Sequence, residues 1–299
     1  MNSIMAHLHE DKIKFLEEKA NAIRQSLIEE LVAAASGHTA GPLGMADVFT
    51  ALYFHILKHD PARPDWDERD RLVLSNGHIC PIQYATMAHA GYFPVEELKT
   101  LRKFGTRLQG HPHRTSLPGL ETTSGPLGSG LSQAVGMAIA LKMDAKPNQV
   151  YCLMSDAEQQ CGNTWEAAML AGRRRLDNLT GLIDRNNIQI DGMTEDIMPL
   201  EPLRAKYEAF HWRVIDIDGH NFEEIAGAFE EARAIYEKPV LIIAHTIPGK
   251  GVPEIEFDYR WHGVPPGAGP TDKFPKEKQA AEFLARLRTL GGKVTSEHQ

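Results

Sequence analysis

Val150-Tyr-Cys-Leu-Met154 and Leu179-Thr-Gly-Leu-Ile-Asp184 are two short, almost wholly apolar runs, and the residues between them read as a helix over Thr164–Arg174. Strand, helix and strand in that order form the unit of a parallel sheet. The runs do not alternate polar with apolar residues, as a strand with one wet face would, so both faces of the sheet are covered. The same rhythm continues on either side. Upstream lie a helix over Leu131–Met143 and a short apolar run at Arg71–Ser75; downstream lie a strand at Val214–Asp218, a helix over Phe222–Tyr236 and a strand at Val240–His245. The expected fold is α/β, a doubly wound, mostly parallel sheet with helices on both faces. Ahead of it, Leu16, Ala20, Ile23, Leu27 and Leu31 mark a helix across residues 13–35, and the Gly/Pro-rich stretch from Ser36 to Gly44 ends it. A second helical pattern covers about Met45 to Leu57, and a last one about Pro275 to Leu290.

With 299 residues, 42% of them apolar and 24% charged, the chain can bury a large core as one big domain or two small ones. A formal charge of −8 lacks the electrostatic footprint that nucleic acid requires. No apolar run reaches the ~20 residues of a membrane span, and the N-terminus has no signal-peptide stretch, so the expected location is the cytoplasm. Cys80, Cys152 and Cys161 are too scattered for a metal cage or a disulfide framework, and are expected to be reduced thiols.

Ligands of a doubly wound sheet bind beyond the carboxyl ends of its strands, which directs attention to the residues that follow them. Ser155-Asp-Ala-Glu158 follows one strand and Arg185-Asn-Asn187 the next, so Asp156 and Asn186 place a carboxylate and an amide oxygen at one rim. Such a pair suits a hard divalent ion such as Mg²⁺; an Asp and an Asn after strands also cap helices or form turns. Residues 104–130 are dense in Gly, Pro, Ser, Thr and His and too long for a simple connector, which favours a functional loop. Within it, Thr122-Thr-Ser-Gly-Pro-Leu-Gly-Ser-Gly130 leads straight into a helix and suits an anion, yet matches neither the dinucleotide nor the P-loop glycine pattern. His38, His78, His111 and His262 all sit beside glycines in loops. Their spacing excludes the usual zinc motifs and favours a metal-free histidine pocket for a polyhydroxylated substrate.

The motifs taken together resemble one family. Ser36-Gly-His38 with Pro42-Leu-Gly44, Asp70-Arg-Leu-Val-Leu-Ser-Asn-Gly-His78, Leu108-Gln-Gly-His-Pro112, Thr123-Ser-Gly-Pro-Leu-Gly-Ser-Gly-Leu131, Trp165-Glu-Ala-Ala168, Leu176-Asp-Asn-Leu179, Gln189-Ile-Asp-Gly192, Asp218-Gly-His220 and Trp261-His-Gly263 are similar, in order, to the N-terminal half of transketolases. The likeness runs from about residue 20 to 270. It implies a thiamine diphosphate domain over residues 1–270, followed by a C-terminal helix and polar tail over 271–299. It also implies Asp156, Asn186 and the Ile188 carbonyl as ligands of Mg²⁺ (or Ca²⁺ or Mn²⁺), and the Ala157 amide, His78 and His262 beside the diphosphate. Gly125 and Leu127 would hold the cofactor rings, His38, His111 and His262 would line the sugar channel, and Glu166 joins the catalytic set.

The family's second half, which brings the glutamate that activates the cofactor and the basic residues that grip sugar phosphate, would come from a second chain in an α2β2 assembly. The activity implied is transfer of a two-carbon ketol unit from a phosphorylated or otherwise anionic ketose to an aldose. The other readings are a different thiamine diphosphate transferase component and a cofactor-binding scaffold without turnover. Two departures from the family pattern are visible: Ser155-Asp156-Ala157 where Gly-Asp-Gly is usual, and Cys161 where a glutamate is usual. They point away from ordinary pentose-phosphate specificity and toward a specialised sugar or sulfosugar.

Overall fold

The computed structural model describes residues 8–289. Helix α1, Glu10–Ala34, buries the whole Leu16, Ala20, Ile23, Leu27, Leu31 stripe and stops where Ala35 turns left-handed at φ 49°. The helix expected at 45–57 starts within a residue of its bound but loses regular α-helical turns after Ala51, and the Gly/Pro-rich stretch expected to be a break is itself helical over residues 40–44. Helix α2 (Ala40–Gly44) and α3 (Ala46–Ala51) meet at Met45, and a π-turn over Leu52–Ile56 follows. Gly44 explains the close pass at that joint, because a β-carbon there would lie 2.9 Å from the Ile247 carbonyl oxygen.

Strand β1 (Arg71–Leu74) leads through a short 3-10 turn into α4 (Cys80–His89). Next come α5 (Ser129–Met143), β2 (Val150–Ser155), α6 (Gly162–Arg174) and β3 (Leu179–Arg185). A small hairpin of β4 (Ile188–Gln189) and β5 (Gly192–Met193) precedes α7 (Thr194–Ile197) and α8 (Leu203–Ala209). The chain continues with β6 (Arg213–Asp218), α9 (Phe222–Ala234), β7 (Val240–His245) and α10 (Lys276–Thr289).

Five strands form one all-parallel sheet in the order β1-β2-β3-β7-β6. Side chains that alternate along each strand go to opposite cores. Leu72, Tyr151, Leu153, Val240 and Ile242 pack with α1, α3, α4, α9 and α10. Val73, Val150, Cys152, Leu241 and Ile243 pack with α5, α6 and α8. Both faces are dry, which is why these strands read as unbroken apolar runs. The register pairs Ser155 with Asp184, so the turns after β2 and β3 open side by side at one rim.

Residues 104–128 contain no helix or strand, yet Leu108, Leu117 and Leu120 anchor the loop in the core. Helix α10 shares that core through Phe283 and Leu287, with Phe283 5.1 Å from the Trp261 ring, centre to centre. The last expected helical residue, Leu290, lies outside the described residues. Among the described residues no helix is long and apolar enough to cross a membrane.

Candidate active site

A cavity of about 360 Å³ opens where β2 and β3 end. His38, His78, His111 and His262 all line it, although their loops are far apart in sequence. The His38 and His78 rings are 4.8 Å apart, His38 and His262 5.5 Å, and His78 and His262 5.3 Å. Thr39 Oγ1 donates to the Val264 carbonyl at 2.6 Å, which ties the first of these loops to the last.

Burial, reinforced by His262, Arg102 and His111, brings His38 down to about 3, and burial brings His262 down to about 4. His78 is held well below the usual imidazole range by burial and by its histidine neighbours, and His111 is lowered by burial and Arg102. All four rings are therefore neutral near pH 7, each with one donor and one acceptor nitrogen. Nδ1 of His38 and of His262 is buried without a hydrogen-bond partner among the described residues. An unpaired buried polar atom is costly, so the pocket is shaped for a polar ligand.

Other histidines have ordinary structural roles. His220, from the Asp218-Gly-His motif, donates from Nδ1 to Asp47 at 2.8 Å and accepts the Ile247 amide at Nε2, also at 2.8 Å. Arg24 grips the same Asp47 through both guanidinium ends. That buried set joins α1, α3 and the segment after β7, away from the cavity.

Gly125 and Leu127 line the cavity, as do Ala157, Asn186 and Ile188. Asp156 lies beneath them, fully buried. Its Oδ1 accepts the Ala157 amide at 2.6 Å, and its Oδ2 accepts the Asn187 amide at 2.8 Å and Arg185 at 3.1 Å. Asn186 is oriented from behind. Its Nδ2 donates to Asp184 Oδ2 at 2.8 Å, while its Oδ1 accepts the Ile188 amide at 3.0 Å and keeps a lone pair free. Asp184 also accepts the Thr246 hydroxyl, and burial pushes its carboxyl up to about 7.

Among the described residues, no three His, Cys, Asp or Glu side chains form a metal cage. The oxygens that could hold an ion are an Asp156 carboxylate oxygen, Asn186 Oδ1 and the Ile188 carbonyl. That sparse set suits Mg²⁺, which keeps few protein ligands and takes the remainder from phosphate and water.

Ala157 opens a 3-10 turn over 157–160 and is not at a positive φ, so its β-carbon is accommodated there. Ser155 caps the same turn, its Oγ accepting the Glu158 amide at 3.2 Å. Glu158 is buried between the loop and the strand end. It accepts the Gly128 amide at 3.0 Å, the Ser155 amide at 2.9 Å and the Ser75 hydroxyl. Cys161 is half-buried against Gly128, and burial pushes its thiol up.

Glu166 is not brought into the cavity; it is exposed on α6. Sequence reasoning passed over Ser155, Gln189, Ile190 and Asp191, which also line the cavity. Three of them lie within the Gln189–Gly192 run, so the signal was present. Arg185, which grips Asp156, Glu195 and Glu201, was likewise missed, and an arginine after a strand gives no hint of burial.

Residues 16–280 match the family described as transketolase, thiamine diphosphate binding domain. The 6-deoxy-6-sulfo-D-fructose transketolase subunit SqwG of Clostridium sp. (strain MSTE9) is 49% identical over 79% of this chain and 86% of that protein. An apulose-4-phosphate transketolase subunit of Phocaeicola vulgatus is 42% identical over 85% of this chain and 90% of that protein. Transketolase 1 of Escherichia coli is 41% identical, but the match spans only 40% of its length. Among solved structures, the transketolase of Campylobacter jejuni superposes with a TM-score of 0.79 at 35% identity, over 94% of this chain and 47% of that one. The transketolase of Leishmania mexicana gives 0.80 at 32%, over 92% and 44%. With a match over most of its length and near full-length likeness to two transketolase subunits, this chain belongs to the transketolase family, as a subunit built on the thiamine diphosphate binding domain.

Proposed function

We propose that the chain supplies the diphosphate-binding half of a two-chain transketolase that moves a two-carbon ketol unit from an anionic ketose to an aldose. The observation that carries this reading is the convergence of four glycine-flanked histidines, all neutral, on one cavity at the strand ends. Thiamine diphosphate, when bound, supplies the carbanion chemistry that breaks and makes the carbon–carbon bond. The protein's part is to bind, orient and manage protons. Asp156, Asn186 and the Ile188 carbonyl would hold Mg²⁺ (or Ca²⁺ or Mn²⁺), with the Ala157 turn, His78 and His262 beside the diphosphate. Gly125 and Leu127 would hold the cofactor's rings. His38, His111 and His262 would donate to and accept from the sugar hydroxyls, and take or return a hydroxyl proton as the bond changes.

The substrate class follows from the relatives. One is named for a sulfofructose and the other for apulose 4-phosphate, which supports a sugar with an anionic end here. The groups that grip that end, and the activating glutamate, belong to a second chain, in a cytoplasmic α2β2 assembly. Glu166 is exposed on α6 and lines no part of the cavity, so it has no catalytic role within this chain's own site. The cofactor domain would end near residue 270, with helix α10 packed against its core through Phe283 and Leu287, and the polar tail expected after it lies outside the described residues.

Calorimetry on the two-chain complex tests the cofactor reading. Thiamine diphosphate should bind with Mg²⁺ and lose its affinity in excess chelator. Affinity indifferent to chelator would remove the metal assignment, and a complex that binds the cofactor but never transfers a ketol unit would be a scaffold.

A further inference from the structure

One side chain joins the loops that carry His38 and His111. Arg102 follows the 3-10 segment Val95–Thr100 and is held at a φ of 58°. Its Nη1 donates to Ser36 Oγ at 2.7 Å and its Nη2 to the Gly110 carbonyl at 3.2 Å. Ser36 stands two residues before His38, and Gly110 immediately before His111. The fork is also packed tightly, since a β-carbon on Gly110 would lie 2.9 Å from Arg102 Nε. The His111 loop is steadied at the same place by Tyr84, whose hydroxyl donates to the Gln109 carbonyl at 3.0 Å, and by the Cys80 thiol, 3.4 Å from the Gly110 carbonyl.

Arg102 itself does not line the cavity. We propose that Arg102 is a positioning residue for the sugar channel, a bridge that sets the separation and aim of His38 and His111 without touching sugar or cofactor. The idea rests on the reading of those two histidines as sugar contacts. A guanidinium suits the task because its planar fork reaches two acceptors in fixed geometry, which an ammonium on a flexible stem does not. Its charge has a second effect, because it opposes protonation of both rings. The groups facing His38 are His262, Arg102, His111 and the adjacent His78, and His111 faces Arg102.

The test compares Arg102→Lys and Arg102→Gln with the natural chain, each combined with its second subunit. Both variants should lower kcat/KM for ketol transfer by about tenfold or more, the scale of losing a charge-assisted hydrogen bond. Affinity for thiamine diphosphate with Mg²⁺ should stay within about twofold, because the metal rim is untouched. Histidine NMR titration of the chain alone separates charge from geometry. His111 should titrate higher in Arg102→Gln and near its natural value in Arg102→Lys.

Ser36→Ala cuts one strut while keeping Arg102, and should lower kcat/KM without further loss when combined with Arg102→Lys. Natural kcat/KM in Arg102→Lys would overturn the proposal, as would a crystal structure of that variant with His38 and His111 unmoved. If the natural pair shows no ketol transfer at all, the functional reading fails. The crystal structure and the titration still decide whether Arg102 bridges these loops.

Discussion

Asp156 shows how a single position gathers the chemistry of the rim. Its carboxylate is buried, is the one charged oxygen donor proposed for the metal, and is shared with Arg185. Replacing it by asparagine keeps the shape, and Arg185 keeps Glu195 and Glu201 as partners. Asp156→Asn should therefore fold normally but weaken Mg²⁺-dependent thiamine diphosphate binding by more than about a hundredfold, beyond the usual effect of an outer partner. Calorimetry on the assembled enzyme checks this, and affinity within twofold of natural would remove Asp156 from the metal. Gly128 is a second diagnostic residue. It sits at φ 81°, and an added β-carbon would lie 2.4 Å from Asn163 Oδ1 and 2.6 Å from Cys161 Cβ. Gly128→Ala should cost about 2 kcal/mol or more in urea unfolding, and a loss below about 0.5 kcal/mol would show that the loop relaxes freely. Glycine-flanked histidines and residues at strand ends were legible in the sequence because their contexts are local. Arg102, Glu158 and Arg185 were not, because their partners are brought together only by the fold.

At the scale of elements, the strands were easier to read than the helices. An all-parallel sheet with two dry faces announces itself as apolar runs, and β2, β3 and β7 fell within a residue of their expected bounds. Helix α4 escaped notice because Cys80 through Ala88 are all buried, leaving no polar face and no periodicity to detect. The break at Met45 lies where Gly44 passes close to the segment after β7, a tertiary contact that local propensity does not encode.

The loops bearing the histidines carry a prediction of their own. His38 and His262 are lowered to about 3 and about 4, so the folded chain resists protons that the unfolded chain accepts from about pH 6.5 downward. Their neutral burial is compatible with full stability above that pH, and each costs about 1.4 kcal/mol per pH unit as pH falls toward the folded values. Glu30 and Glu158, pushed up by burial, act in the opposite sense, so the comparison must be internal. Relative to a His38→Gln/His262→Gln variant, the natural chain should lose stability between pH 6.5 and 4.5. Parallel melting curves across that range would contradict the buried neutral state.

As a whole molecule, the chain is one half of a catalytic device. It spans 86% and 90% of the two transketolase subunits it resembles, but only 40% of Escherichia coli transketolase 1. Its cavity gathers four histidines, Asn186 and Ile188 from the strand-end rim, and Gly125 and Leu127 from the long loop, with no glutamate among the lining residues. The family's N-terminal motifs made this division legible from sequence, while the sugar itself stayed hidden because the groups proposed to grip it lie on a second chain. The measurement that bears most directly on this account is ketol transfer by the purified chain, by its second chain and by the two combined, with thiamine diphosphate, Mg²⁺ and an anionic ketose donor. Neither chain alone should turn over, and mixing should produce activity that saturates at equimolar chains. Ketol transfer by this chain alone would contradict it.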